Sequence, residues 1–430
     1  MLRAAKNGST TRLSRSIARP RPPKVPRLTI PHAQWSKSYA TSSESSTGSP
    51  GLRMRVSTLF TILLGVGIAA TSYGIYDFYA TFTMWPKEVR EDLRAGIKAK
   101  HQGELDLSER YLRRAWQTAR ELPITAFSQE PYLKLSGIAI VLAEVLESTN
   151  RPEQAYETYS TALALLRAAE AQPQTQLSGR ERMRTVALAH KLGEMAEVYQ
   201  REPEEVEHFL TFAVEEALRM LKDAGGVDVK GKQKAGAGED ATVMLAELEM
   251  PWWVRKVDVA APLEALGRFY ARENKPQYAT TLYLQTVGLL MQPSPGEKEA
   301  NVEDRCRAAQ VMNNLSDIMS RGPPPSNIHN AEAWARKAQD VIEKTRTMSG
   351  ARRNPEAMML CEQTYAAVLF NLGALLEMSG QLEDAKKSFE ETVAHSKKIG
   401  LRTGLMEARA ALRRVERAQT RTGRESRSTT

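Results

Sequence analysis

Along most of the chain apolar residues return every three or four positions, and they do not alternate with polar ones over any useful length. That spacing lays an apolar stripe along a helix, whereas a half-buried strand needs a period of two, so the pattern predicts helices and no sheet. One run stands apart because it carries no polar face. Val56 to Tyr76, VSTLFTILLGVGIAATSYGIY, has 21 residues and no charge, with Arg53 and Arg55 before it and Asp77 after it. At ~1.5 Å rise per residue such a helix covers the ~30 Å hydrocarbon core of a bilayer. A buried core helix and the apolar part of a cleaved signal are the alternatives; the latter is shorter, ~7–15 residues, and lies nearer the N-terminus. Length and lack of charge predict a transmembrane helix over 56–76.

The helical part also repeats on a longer scale. Leu369-Phe370-Asn371-Leu372-Gly373-Ala374-Leu375-Leu376 is followed by Ala385 and Phe389. This order resembles the tetratricopeptide pattern: a large residue, Leu-Gly, a large residue, then Ala and an aromatic four further on. Small residues at the eighth and twentieth positions let two antiparallel helices touch, and large ones fill the groove between neighbouring hairpins. Leu263, Leu266, Gly267, Tyr270, Ala279 and Tyr283 repeat it, as do Leu142, Ala143, Leu146, Ala155, Tyr159 and Ala162 with Ala for Gly. Leu192, Gly193 and Ala196, with Val206, Leu210 and Ala213, form another unit, and Ala95, Gly96, Ala99, Ser108, Leu112 and Ala115 a degenerate first one. Leu315, Ser316 and Met319 open a unit stretched by Gly322-Pro323-Pro324-Pro325 and completed by Ala331, Ala335 and Ala338. The expected hairpins are 88–122, 131–169, 181–222, 257–292, 302–347 and 361–399. Their repeat-packing residues are Gly96, Ala143, Ala155, Gly193, Gly267, Ala279, Gly373 and Ala385. The charged helix Arg402 to Gln419 is expected to cap the stack, ahead of a basic disordered tail, so that 401–430 closes an 88–400 solenoid. The fold class is therefore all-α: a tetratricopeptide-like helical-hairpin superhelix with one N-terminal transmembrane helix.

Charge separates the two ends of the chain. Residues 1–55 hold eleven Lys/Arg and one acid, Glu44, while the remaining residues nearly balance. The net charge of +9 thus belongs to the N-terminus and not to a nucleic-acid surface. Residues 1–43 contain nine basic residues, no acid, many Ser and Thr, and Pro20, Pro22, Pro23, Pro26 and Pro31. That composition predicts a disordered mitochondrial transit peptide, with Lys37-Ser38-Tyr39-Ala40 resembling a processing site and 44–55 a linker. Arg53 and Arg55 then place the N-terminus in the matrix and the body in the intermembrane space, with the chain held in the inner membrane. Gly65/Ala69 and Ala70/Gly74 are small-xxx-small pairs that let another helix approach.

Chemistry-bearing motifs are few in this sequence. Cys306 and Cys361 fall inside helical patterns and are expected as two buried thiols, not a disulfide framework or metal site. No histidine joins a metal-binding spacing, and no nucleophile elbow or kinase motif set occurs. The pairs Glu204-Glu205 and Glu215-Glu216 are expected on solvated helix faces, and Tyr111, Trp116, Tyr156, Phe209 and Trp334 in the core. Asp223 to Asp240 is rich in Gly and Lys and is expected as a flexible insertion. Its Gly226-xxxx-Gly231-Lys232 imitates a phosphate loop, but Gln233 stands where the magnesium-binding hydroxyl belongs. Neither a cofactor nor an enzymatic activity is expected. Trp252 and Trp253 are adjacent and cannot share one helix face, so one packs while the other is exposed; the pair is a candidate partner contact, with packing of both against the neighbouring hairpin as the alternative.

Transit peptide, single membrane helix and divergent tetratricopeptide body together resemble the fungal adaptor subunit of the inner-membrane i-AAA protease. The likeness covers about 56–400 and includes the runs Tyr132-Leu133-Lys134-Leu135-Ser136-Gly137-Ile138 and Asn150-Arg151-Pro152-Glu153-Gln154-Ala155. The resemblance implies a non-catalytic partner of the protease that binds unfolded or membrane substrates on the intermembrane-space side and hands them over for degradation. It carries over no individual binding residue. An anchored assembly factor for a respiratory-chain complex is the alternative. An outer-membrane import receptor would need a carboxylate clamp, with Lys and Asn at the fifth and ninth positions of helix A. Phe370 and Ala374 stand there in one repeat and Glu264 and Arg268 in another. An enzyme of unknown chemistry ranks last.

Overall fold

Five hairpin turns in this protein share one construction. Gly103, Asn150, Gln200, Asn274 and Gly380 each take a left-handed backbone conformation, with φ between 53° and 80°. After α3, for example, the Asn150 N–H donates to the Glu147 carbonyl at 3.0 Å and the Arg151 N–H to the Leu146 carbonyl at 2.9 Å. These two bonds satisfy carbonyls that a helix end leaves orphaned. Pro152, Pro203 and Pro276 then open the returning helix, where a missing N–H costs nothing.

The computed structural model describes Ser72 and residues 84–224, 250–294, 296–322 and 326–428. The expected transit peptide 1–43, the linker 44–55, the membrane helix 56–76 apart from Ser72, and most of the insertion 223–240 lie outside the described residues. Among the described residues thirteen α-helices and no strand occur, and twelve of the helices pair into hairpins. The hairpins are α1 (Lys87–Gln102) with α2 (Leu105–Glu121), α3 (Pro131–Ser148) with α4 (Pro152–Glu170), and α5 (Gly179–Val198) with α6 (Pro203–Ala224). They continue as α7 (Lys256–Arg272) with α8 (Pro276–Met291), α9 (Val302–Ser320) with α10 (Ser326–Thr347), and α11 (Pro355–Met378) with α12 (Leu382–Ile399). α13 (Arg402–Ser428) runs past Gln419 and packs on α12. Each hairpin stacks on the next, and from α3 to α11 each odd helix also meets the next odd helix.

Small residues set the distance inside each hairpin. A Cβ on Gly267 would lie 2.6 Å from Cε1 of Tyr283, and one on Gly373 2.8 Å from Cε1 of Phe389. Gly96 and Gly193 stand in the same way under Leu112 and Leu210. The clearance at the eighth position is thus used by a large residue of the returning helix, sixteen or seventeen positions on. Ala143, Ala155, Ala279 and Ala385 are fully buried in the same seams. Where serine replaces the small residue, its hydroxyl crosses the seam: Ser108 donates to the Gly96 carbonyl at 2.8 Å and Ser316 to the Ala331 carbonyl at 2.7 Å. One continuous core runs from Val89 to Val368, and a second surrounds Phe389 and reaches Ala411 and Val415 of α13. Trp116 and Tyr156 are buried, while Phe209 and Trp334 pack half-buried against the core. Tyr111 is half-buried, with the Arg114 guanidinium 5.0 Å from its ring centre.

Two expectations are corrected. Cys306 and Cys361 are not separate thiols but form a disulfide, with their Cα atoms 4.9 Å apart, that ties α9 to α11. Adjacent odd helices bring two positions 55 residues apart to the same height. Glu216 is not solvated; its side chain is 1% exposed and held by Arg182 at 2.7 Å and Arg219 at 3.1 Å. A buried carboxylate requires such partners.

Candidate functional site

α5 is fixed at its N-terminus more firmly than its neighbours. The Ser178 hydroxyl accepts the Glu181 N–H at 3.2 Å while the Glu181 carboxylate accepts the Ser178 N–H at 2.9 Å, a reciprocal cap. The same buried carboxylate accepts the Tyr132 N–H at 2.9 Å, which joins the start of α5 to the start of α3. On the other side Trp253 lies against Gly179, where an added Cβ would stand 2.3 Å from indole Cζ2. Only glycine leaves room for that ring.

The result is a groove of about 890 Å³ walled by α3, α5, α7 and the chain leading into α7. Its apolar lining includes Leu133, Ile140, Met183, Trp253 and Pro262. Along α5 it exposes Arg180, Met183, Arg184, Ala187 and Lys191, the three- and four-residue spacing of one helix face.

Charge on these walls is almost fully matched. Glu144 pairs with Lys100 at 2.5 Å, and Glu147 accepts from Lys191 at 2.8 Å and from the Tyr159 hydroxyl at 2.7 Å. Asp258 pairs with Arg255 at 2.7 Å, and Arg180 stands 3.8 Å from Glu130. His190 lies 3.6 Å from Glu194; burial outweighs that carboxylate and holds the imidazole below its usual pKa, so it is neutral at pH 7. The exception is Arg184. It makes no hydrogen bond or ion pair with any described residue, and burial pushes its guanidinium below the ordinary arginine value.

The paired charges belong to a ladder that crosses the odd helices: Lys100–Glu144, Glu147–Lys191, Glu194–Arg268 at 3.4 Å and Glu264–Arg307 at 2.7 Å. The Asn371 amide donates to the Asn313 side-chain oxygen at 3.0 Å one hairpin further on. Burial raises the Glu264 carboxyl, and Arg307 beside it partly offsets this. The ladder thus ties hairpin to hairpin and leaves few charges for a ligand.

Of the two tryptophans singled out in the sequence, Trp252 is 88% exposed and Trp253 lines the groove. The eight repeat-packing residues lie in the hairpin seams and not in the groove lining. Arg184 went unnoticed in the sequence because Arg180, Arg182, Arg184 and Lys191 all look alike there; only the geometry separates the unpaired one from the paired.

No family model matches the sequence, and no curated protein does. Among solved structures the chain is similar to BtubC (BKLC) from P. vanneervenii, at 14% identity and a TM-score of 0.46, over 69% of this chain and 92% of that one. It is also similar to the Podosopora anserina putative kinesin light chain with nearly identical TPR-like repeats, at 14% identity and a TM-score of 0.37, over 63% and 98% of the two chains. Pseudomonas aeruginosa pilF matches at 13% identity and a TM-score of 0.37, over 75% and 97%. The fold assignment, a tetratricopeptide-like hairpin stack, rests on the seams and turns described above.

Proposed function

We propose that the chain is a non-catalytic recognition protein whose α3–α5–α7 groove receives a segment of another polypeptide. The unpaired Arg184, half-buried inside a largely apolar groove, carries this reading: a partly desolvated cation without a counter-charge is costly until a partner supplies one. Grooves of stacked hairpins hold extended or helical segments in this way. The exposed Trp252, next to the groove-lining Trp253, is a further partner contact at the rim.

The basic, acid-free composition of 1–43 and the charge-free apolar run 56–76 support placement in the mitochondrial inner membrane, with the body in the intermembrane space. The buried Cys306–Cys361 disulfide supports a body kept away from glutathione-reduced compartments. In that setting the chain brings unfolded or membrane proteins to the i-AAA protease. Co-purification from solubilised mitochondria tests this: the protease subunit is expected with the tagged chain. Its absence, with respiratory-complex subunits in its place, makes the chain an assembly factor instead.

A further inference from the structure

The charges of the groove determine what it lacks. Each carboxylate on its walls already has a cation of this chain: Glu144 has Lys100, Glu147 has Lys191 and Asp258 has Arg255. Of the cations, Lys191 and Arg180 face carboxylates and His190 is neutral, so one positive charge, that of Arg184, is left over. The surrounding surface, with Leu133, Ile140, Met183 and Trp253, is apolar.

The position of that charge matters as well. Arg180 and Lys191 lie eleven residues apart on α5, so the groove follows roughly 16 Å of helix at 1.5 Å per residue, and Arg184 stands between them. An extended segment of about five residues, at ~3.3 Å each, spans that length. We infer that Arg184 reads an internal Asp or Glu side chain, flanked by apolar residues, in a short segment of a partner polypeptide. A carboxylate fits the guanidinium fork through two parallel N–H···O bonds, which an amide cannot reproduce. The apolar flanks fill the space beside Ile140 and Trp253. A chain terminus would carry its carboxylate at one end of the segment, whereas the groove continues on both sides of Arg184.

This inference rests on the groove being the recognition site, and the experiment separates the two. The full chain, purified in detergent, is titrated against a fluorescein-labelled, C-terminally amidated decapeptide, SKALIELASK, and against the same peptide with glutamine for glutamate. The glutamate peptide is expected to bind at least tenfold tighter. Arg184→Gln should reduce that ratio to about one. Arg184→Lys should keep the sign of the preference but lose most of its size, since ammonium is a point charge and not a fork. Equal binding of the two peptides to the unaltered chain, or a ratio that survives Arg184→Gln, overturns the inference and leaves the groove reading standing. Binding only by a peptide with a free C-terminal carboxylate overturns it in favour of a terminus reader. No binding of any peptide removes both the inference and the groove reading beneath it.

Discussion

Two glycines show how a single hydrogen in place of a methyl acts in opposite directions. Gly267 faces the buried Tyr283 ring, and an added Cβ would stand 2.6 Å from it, so Gly267→Ala must move an aromatic with nowhere to go. Overpacking of this kind costs about 1–3 kcal/mol and should appear as a lower thermal midpoint. Gly137, inside α3, has nothing within 4 Å of its Cβ position. Gly137→Ala removes backbone freedom from the unfolded chain and should stabilise by about 0.5–1 kcal/mol in the same assay. Asp304, in the first turn of α9, makes a pH-dependent case. Burial raises its carboxyl from 3.8 to about 6, against the opposing pull of Lys256. A carboxyl whose folded pKa is raised supports folding while protonated; that support is complete below pH 4 and is lost as pH rises through about 6. Asp304→Asn should therefore match the parent chain at pH 4 and exceed it at pH 7.5, by about 1 kcal/mol after allowance for solvent. Its amide can keep the 2.8 Å contact with Asn301. Equal midpoints at both pH values would show that the carboxylate is solvated.

At the scale of elements, the disulfide is the only covalent tie between hairpins among the described residues. It closes a loop with a sequence separation of 55, which by chain entropy constrains the unfolded state by about 4 kcal/mol. Cys361→Ser should lower the denaturation midpoint accordingly. Dithiothreitol should lower the parent chain to the variant's level and leave the variant unmoved; a reducing agent without effect on the parent chain would mean that the bridge does not form. This tie also marks where the sequence stops being readable. The hairpins were legible because Leu-Gly-x-x-Tyr or Leu-Gly-x-x-Leu recurs with a small residue twelve positions on, a requirement of close helix contact that only a few residue types meet. Which odd helices lie side by side, and at what height, depends on crossing geometry that no spacing reports. So Cys306 and Cys361 read as two thiols, Glu216 as half of a solvated acidic pair, and Arg184 as one arginine among several. The turns had a weaker signal: Asn150 and Asn274 tolerate a left-handed backbone, whereas Gln200 does so with no cue in its residue type.

Over the whole molecule, two segments compete for the role of membrane span. α11 is long and apolar enough by composition across its most apolar eighteen-residue window. Yet half of that window is buried, and α11 packs against α9, α10 and α12 while its Cys361 is tied to α9. The buried half of its surface gains nothing from lipid, because it is already out of water. The 56–76 run has no polar face to spare for a soluble body and carries basic residues at one end only. The hairpin stack falls within one compact unit, 73–430. The full chain should therefore stay with membranes through an alkaline carbonate wash, whereas a chain lacking residues 1–83 should remain in the supernatant with the circular dichroism of a helical protein. If the shortened chain still sediments with membranes, α11 or another part of the stack makes the contact with lipid. The hairpins would then have to open to allow it, which cleavage by protease in the presence of liposomes would reveal.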